Sequence, residues 1–285
     1  MEIGIVGIGL MGKALAEKLL DSGYKVNLFN RSYEKIQNFN NSNSKIYLTA
    51  NELFLNSKLI IIFLKDFIAI KDVFKNIEPK SLADKYVICM STILPTESKA
   101  LSELIEENKG NYIEAPVLGS VSQIKNKELF VFCSGDKNLI DECSSFFETF
   151  SQEVRYIGEI GKACALKLAF NQLILSLTVA FSASLSIVMK ENIKLDDFLE
   201  ILRKSALYAP TFDKKLNNYL NNDFTSANFT LNNLLKDSKL ILQELQDLNI
   251  ESKYLEEEIL ILQKGIEKGD AEKDYSVLFK HVFQK

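Results

Sequence analysis

Residues 2–12 read Glu2-Ile3-Gly4-Ile5-Val6-Gly7-Ile8-Gly9-Leu10-Met11-Gly12, a strand-like run followed at once by a Gly-x-Gly-x-x-Gly turn that opens a helical pattern ending near Gly23. Coming after a strand and before a helix, the three glycines have separate uses. Gly7 permits the tight turn, Gly9 lets backbone approach a pyrophosphate, and Gly12 lets helix pack on strand. The helix start adds backbone N–H groups, those of Leu10 and Met11 among them, and the positive end of its dipole. Working outward, strand-like runs at 26–29, 45–49, 59–64, 86–90, 111–115 and 128–132 alternate with helical stretches at 10–22, 33–40, 66–77, 95–108 and 136–150. Such alternation predicts a parallel, doubly wound α/β domain of Rossmann type. From about residue 161 strand signals cease, and helices are expected at 161–190, 195–204, 210–221, 230–248, 252–268 and 275–283. The expected division is a dinucleotide-binding domain over 1–160 and an all-helical substrate and oligomerisation domain over 161–285, joined by the long helix. The Asn-rich stretch 38–43 reads as a surface loop.

Composition narrows the class. The formal net charge is −4 with a pI near 5.4, and no Lys/Arg block stands out, which argues against nucleic acid as a partner. Cys89, Cys133, Cys143 and Cys164 lack metal-ligand spacing and read as buried thiols, for which a cytoplasmic location is the default. The start MEIGIVGIGL lacks a basic n-region and a cleavage site, so no secretory leader is expected there. His281 is the single histidine, and no metal site is implied.

If the cofactor were NAD, the second strand should end in an acid that accepts from the ribose 2′-hydroxyl. Here it ends Phe29-Asn30-Arg31-Ser32. An arginine pairs with a 2′-phosphate and stacks on adenine, and a serine hydroxyl donates to the same phosphate, so NADP(H) is expected.

Between Ala163 and Met189 the only charged side chain is Lys167, and Asn171 follows one helical turn later. An ammonium on a buried helix carries a desolvation cost unless it faces a polar cavity. Residues i and i+4 share a face about 6 Å apart along the axis, so both side chains can reach one small molecule. The stretch 168–189 is long enough to span a membrane, but its Asn, Gln, Ser and Thr residues favour a buried helix in a soluble protein. Further pieces are Ser91-Thr92 after the strand at 86–90, where ligands of open α/β sheets bind, and the turn after Glu114, whose N–H groups suit a carboxylate. A late helix carries Leu234-Leu235-Lys236-Asp237, for which a solvated ion pair is the simplest reading.

Together these motifs resemble the β-hydroxyacid dehydrogenase family, which includes 3-hydroxyisobutyrate dehydrogenases and glyoxylate/succinic semialdehyde reductases. The resemblance rests on GIGLMG at 7–12, MSTILPTES at 90–98, EAPVLGS at 114–120, GKACALKLAFNQ at 161–172, FTLNNLLKD at 229–237 and DYSVLFK at 274–280, and covers essentially the whole chain. It implies that Lys167 is a general acid/base and that Asn171 helps hold the substrate. It places Lys236 by cofactor and substrate, and Thr92, Phe229 and Asp237 along the nicotinamide and substrate pocket. Leu64 and Lys65 would pass beneath the cofactor. The implied reaction is hydride transfer between NADP(H) and a small carboxylated aldehyde or 3-hydroxy acid held between the domains. One departure stands out: the family commonly has serine where this chain has Leu118. Contact with a substrate carboxylate would then fall to backbone N–H groups of Leu118, Gly119 and Ser120, in a more apolar pocket. Alternatives are an imine reductase of the same architecture and a non-enzymatic NADP(H)-binding protein. A helix apolar nearly all round needs covering, so a homodimer or homotetramer is expected.

Overall fold

The strand that precedes the glycine turn, β1 (Glu2–Val6), is buried from its second residue onward and pairs in parallel on both sides, with β2 (Lys25–Phe29) and β4 (Leu59–Ile62). In this computed structural model the described residues are 2–37, 39 and 42–283; of the Asn-rich stretch expected as a loop, Asn38, Asn40 and Asn41 lie outside them. The chain forms two compact units, Met1–Leu168 and Ala169–Lys285.

In the first unit β3 (Ser44–Ile46) flanks β2, while β5 (Tyr86–Cys89) and β6 (Asn111–Glu114) continue beyond β4. The parallel order 3-2-1-4-5-6 is that of a dinucleotide-binding sheet, and its order reverses at β1/β4, where ligands of such sheets bind at the carboxyl ends. Beyond β6 the sheet gains the short β7 (Val117–Leu118), β8 (Leu129–Gly135), antiparallel to β6, and β9 (Ser151–Gly158), parallel to β8. Side chains alternate across the strands. Ile3, Ile5, Ile61, Ile88 and Ile113 face one layer, with Leu15 and Leu19 of α1 (Leu10–Asp21) and Phe146, Phe147 and Phe150. Val6, Ile60, Ile62, Val87 and Tyr112 face the other, with Leu53 of α2 (Ala50–Leu55), Ile70 of α3 (Phe67–Phe74) and Leu101 and Ile105 of α4 (Pro95–Glu107). Burial on both faces explains the near-continuous apolar runs of the central strands.

Two sequence expectations need correction. Where a helix is expected over 33–40, the described residues hold one 3₁₀ turn, Tyr33–Lys35. The helix expected over 136–150 is two, α6 (Lys137–Glu142) and α7 (Ser144–Phe147), which follow α5 (Val121–Asn126) and β8. Among the elements not anticipated are α2, α5, β7 and β9. α2 announces itself only through a Thr49/Glu52 capping box and α5 through Ser120/Gln123, and β9 lies at the sheet margin with few buried residues, so apolar alternation is missing there.

Helix α8 (Lys162–Lys190) begins in the first unit and continues into the second. The second unit adds α9 (Leu195–Lys204), α10 (Pro210–Asn221), α11 (Leu231–Asp247), α12 (Lys253–Glu267) and α13 (Leu278–Phe283), and no strand among its described residues. Phe181 of α8 stacks on Phe212 of α10 with ring centroids 4.5 Å apart, and Tyr219 closes the cluster. Asp274, fully buried, accepts from both sides: Lys215 Nζ at 2.8 Å, and the N–H and hydroxyl of Ser276. A carboxylate so enclosed needs those donors, and they fix α10 against the 274–280 segment. α8 has the length and composition of a membrane-crossing helix, and the described residues cover only part of its circumference. Leu175, Phe181, Leu185 and Val188 are buried, whereas Ala169, Leu173, Ala180, Ala183 and Ile187 are exposed.

Candidate active site

At the carboxyl end of β1, Gly7 adopts φ +101°, and a Cβ there would stand 2.3 Å from the Phe63 carbonyl oxygen. A Cβ at Gly12 would meet the Gly7 carbonyl oxygen at 2.0 Å, so only glycine lets α1 start this close to the turn. Gly9 differs, since its Cβ would enter open space. That space lies before the first N–H groups of α1, those of Leu10 and Met11, which have no partner within the helix, and it suits a pyrophosphate.

Asn30 supports this loop. Its Oδ1 accepts from the Ile8 N–H at 3.0 Å and its Nδ2 donates to the Ser32 carbonyl at 2.9 Å, so the amide ties the end of β2 to the glycine turn. Arg31 is exposed at that end. Ser32 precedes the 3₁₀ turn without a side-chain cap bond, so capping does not engage its hydroxyl. The nearby Asp72 carboxyl is held below the usual range, first by the hydrogen bond and charge of Lys75 and then by the charges of Arg31 and Lys71. Arg31 and Lys71 thus both act on this corner as cations.

The ends of β4 and β5 are joined by Ser91, whose hydroxyl accepts from the Leu64 N–H at 2.9 Å. Lys65 is exposed beside it, and Thr92 is half-buried. After β6 the backbone turns through Leu118 and Gly119, the latter at φ +140°. Of the three N–H groups expected to meet a carboxylate, that of Ser120 is already taken. It donates to Gln123 Oε1 at 2.9 Å in the capping box of α5. The Ser-x-x-Gln spacing of this box was visible in the sequence.

Glu114, the last residue of β6, is fully buried. It accepts from Ser98 Oγ at 2.5 Å, from the Gly161 N–H at 2.6 Å and from the Cys164 N–H at 2.7 Å. Burial, and then the charge of Glu114, pushes the Cys164 thiol well up; burial is also the chief cause that takes Cys89 to about 11, against smaller lowering by hydrogen bonds from Ser91 and Tyr112, and Cys133 to about 12, so these thiols are inert. Lys167 follows one turn further along α8 and is buried at 9 % exposure.

In the second unit Asn171, at 2 % exposure, donates from Nδ2 to Asp237 Oδ2 at 2.7 Å, and Lys236 Nζ stands 2.5 Å from Asp237 Oδ1. The Lys236-Asp237 pair is thus not the solvated pair of the simplest reading, because Asp237 is only 3 % exposed. Asn171 Oδ1 is buried with no hydrogen-bond partner among the described residues. Phe229 is half-buried edge-on to Tyr275, with centroids 5.9 Å apart. Sequence reasoning quoted Glu114 as part of the turn without giving it a task, and nothing local to it signals one.

Comparison with known proteins decides the family. The family model described as the NAD binding domain of 6-phosphogluconate dehydrogenase matches residues 2–158. A second, described as the NAD-binding domain of NADP-dependent 3-hydroxyisobutyrate dehydrogenase, matches 161–282. Glyoxylate/succinic semialdehyde reductase 1 of Arabidopsis thaliana is 30% identical over 85% of this chain and 84% of its own length. The chain belongs to the β-hydroxyacid dehydrogenase family. This is a family of NAD(P)-linked dehydrogenases and reductases, with the Rossmann-type and helical units described above. Its membership does not always span a whole protein. Cytokine-like nuclear factor N-PAC of Drosophila melanogaster is 27% identical over 86% of this chain, which spans only 41% of that protein. Among solved structures, the fold matches a Mycobacterium tuberculosis 3-hydroxyisobutyrate dehydrogenase determined with L-serine, at TM-score 0.87 and 18% identity, covering 100% of this chain and 99% of that one. A Streptomyces aurantiacus imine reductase matches at TM-score 0.67 and 18% identity, over 98% and 99%.

Proposed function

We propose that the chain is an NADPH-dependent reductase of small carboxylated aldehydes, of the glyoxylate and succinic semialdehyde class, with Lys167 as proton donor. The observation that carries this reading is the pairing on one helix of a buried lysine with a buried asparagine four residues on, in a chain 30% identical to a reductase of that class.

When bound, NADPH supplies the hydride to the carbonyl carbon. Gly9, Leu10, Met11 and Gly12 would receive its pyrophosphate, and Arg31 and Ser32 its 2′-phosphate. Lys167, as ammonium, gives a proton from Nζ to the carbonyl oxygen as charge develops there, leaving an alcohol and a neutral amine that solvent reprotonates. Asn171 orients that oxygen. Its amide is itself held by Asp237, which spares it the rotamer freedom that would blur the alignment. The Leu118 and Gly119 N–H groups take the substrate carboxylate, and Thr92 of the same unit lies along the nicotinamide. Leu118 makes that end apolar, which favours a substrate with a methylene chain over glyoxylate.

The test is NADPH and NADH consumption, side by side, over a panel of glyoxylate, succinic semialdehyde, other semialdehydes and a cyclic imine. Turnover of a carboxylated aldehyde with NADPH preferred supports the proposal. Turnover of the imine alone would give the reductase of imines instead, a reading with a looser structural likeness. NADPH binding with no turnover would give the non-enzymatic one.

A further inference from the structure

We infer that Glu114 is a positioning residue: its carboxyl group anchors the first turn of α8 to the end of β6 and so sets where Lys167 stands relative to the turn at 115–120. The inference rests on Lys167 being the proton donor.

Four N–H groups at the start of any helix lack partners within it. Here all four have partners. Gly161 and Cys164 donate to opposite oxygens of Glu114, Ala163 donates to Ser134 Oγ at 3.0 Å, and Lys162 donates to the Glu159 carbonyl. Most helices obtain one such bond from a local N-cap residue. This one obtains three from the ends of β6 and β8, residues remote in sequence. Two amides held by the two oxygens of one carboxyl group fix the helix in rotation as well as in position. Cys164 lies three residues before Lys167, on the same face, so the lysine's direction follows from that hold. The other half of the arrangement is covalent, because the chain from Ala115 to Ser120 leaves β6 directly after Glu114. One side chain therefore sets the spacing between the proposed acid and the proposed carboxylate-binding turn. Ser98 completes it by donating to Glu114, with Tyr112 in turn bonded to Ser98 at 2.8 Å.

A misplacement of about 1 Å can cost on the order of a hundredfold in rate while leaving binding intact. The test is Glu114→Gln in the full chain, which keeps size but turns one oxygen into a donor facing a helix N–H. The expected result is a kcat lowered about 30-fold with the best aldehyde of the panel, NADPH affinity within about twofold of wild type, and faster amide exchange over 161–167. Combined with Lys167→Ala it should add nothing to the loss from Lys167→Ala alone, since it acts through that residue. A kcat near wild type despite faster exchange, or a further additive loss in the double variant, would overturn the inference. Should Glu114→Gln not fold, Ser134→Ala and Ser98→Ala decide. A lower kcat in either, with NADPH affinity kept, supports the anchor, and wild-type kcat in both refutes it. A wild type inactive on every carbonyl refutes the proposed function itself, which is a different result from an active wild type matched by an active Glu114→Gln.

Discussion

Arg31 stands exposed at the end of β2, beside a glycine turn whose shape Asn30 maintains. Removing it should therefore leave the pyrophosphate site untouched and strip one charge-assisted contact to the 2′-phosphate, a contact of about 1.5–3 kcal/mol. Arg31→Ala is expected to raise KM for NADPH about 10–100-fold and KM for NADH less than about threefold, measured by initial rates at saturating aldehyde. Equal rises would remove Arg31 from cofactor choice. Lys167 should behave in the opposite way. General acid catalysis is worth about 10²–10⁴ in rate, so Lys167→Ala should lower kcat by about a thousandfold while fluorescence titration shows NADPH binding within about twofold of wild type. Lys167→Arg should do little better, because a guanidinium keeps the charge but does not release the proton. Activity retained in either variant would hand proton transfer to another group.

Among the elements, those with local signals were legible and those made by distant partners were not. The β1–turn–α1 unit could be read because three glycines and two periodicities fall within about twenty residues. The helical second unit was legible for the same reason, down to α9 and α10. By contrast, the bonds that hold the functional side chains join Glu114 to Gly161 over 47 residues in the first unit and Asn171 to Asp237 over 66 in the second, and no spacing rule reaches that far. Residue type alone left Asp237 as a solvated partner of Lys236, and only the family resemblance pointed away from that; the side chain is buried. A similar tertiary pair joins α8 to α12, where Ser176 Oγ donates to Glu258 at 3.0 Å. Burial raises the Glu258 carboxyl above its ordinary 4.5, against a smaller lowering by the Ser176 bond. The native state thus binds more protons than the unfolded one just above pH 4.5, and the stability this group contributes is present below that pH and lost as pH rises through the folded value. Glu258→Gln keeps an acceptor for Ser176 and has no charge to bury. It is expected to raise Tm by roughly 2 °C at pH 8, with the gain vanishing near pH 4 in scans across that range. A gain independent of pH would point to packing rather than charge.

At the scale of the whole molecule the uncovered side of α8 remains to be explained. Its buried residues recur at Leu168, Asn171, Leu175, Thr178, Ser182, Leu185 and Val188, a spacing of three and four that consumes one face. Ala169, Leu173, Ala180 and Ile187 follow the same spacing on another, with Leu173 54 % and Ile187 62 % exposed. An exposed apolar stripe running several turns along one helix, with Leu173 and Ile187 as its large side chains, is unusual on a lone soluble domain, and on a helix of near-uniform apolar character it suits a second copy of itself. Self-association also needs no complementary charge, and this stripe has none. We therefore expect light scattering coupled to size exclusion to give at least twice the chain mass. Leu173→Glu with Ile187→Glu should bring it to the monomer mass without loss of helix content by circular dichroism, because both side chains leave the packed face alone. A monomeric wild type, or a double variant that keeps the larger mass, would mean that the stripe is covered by something other than this chain.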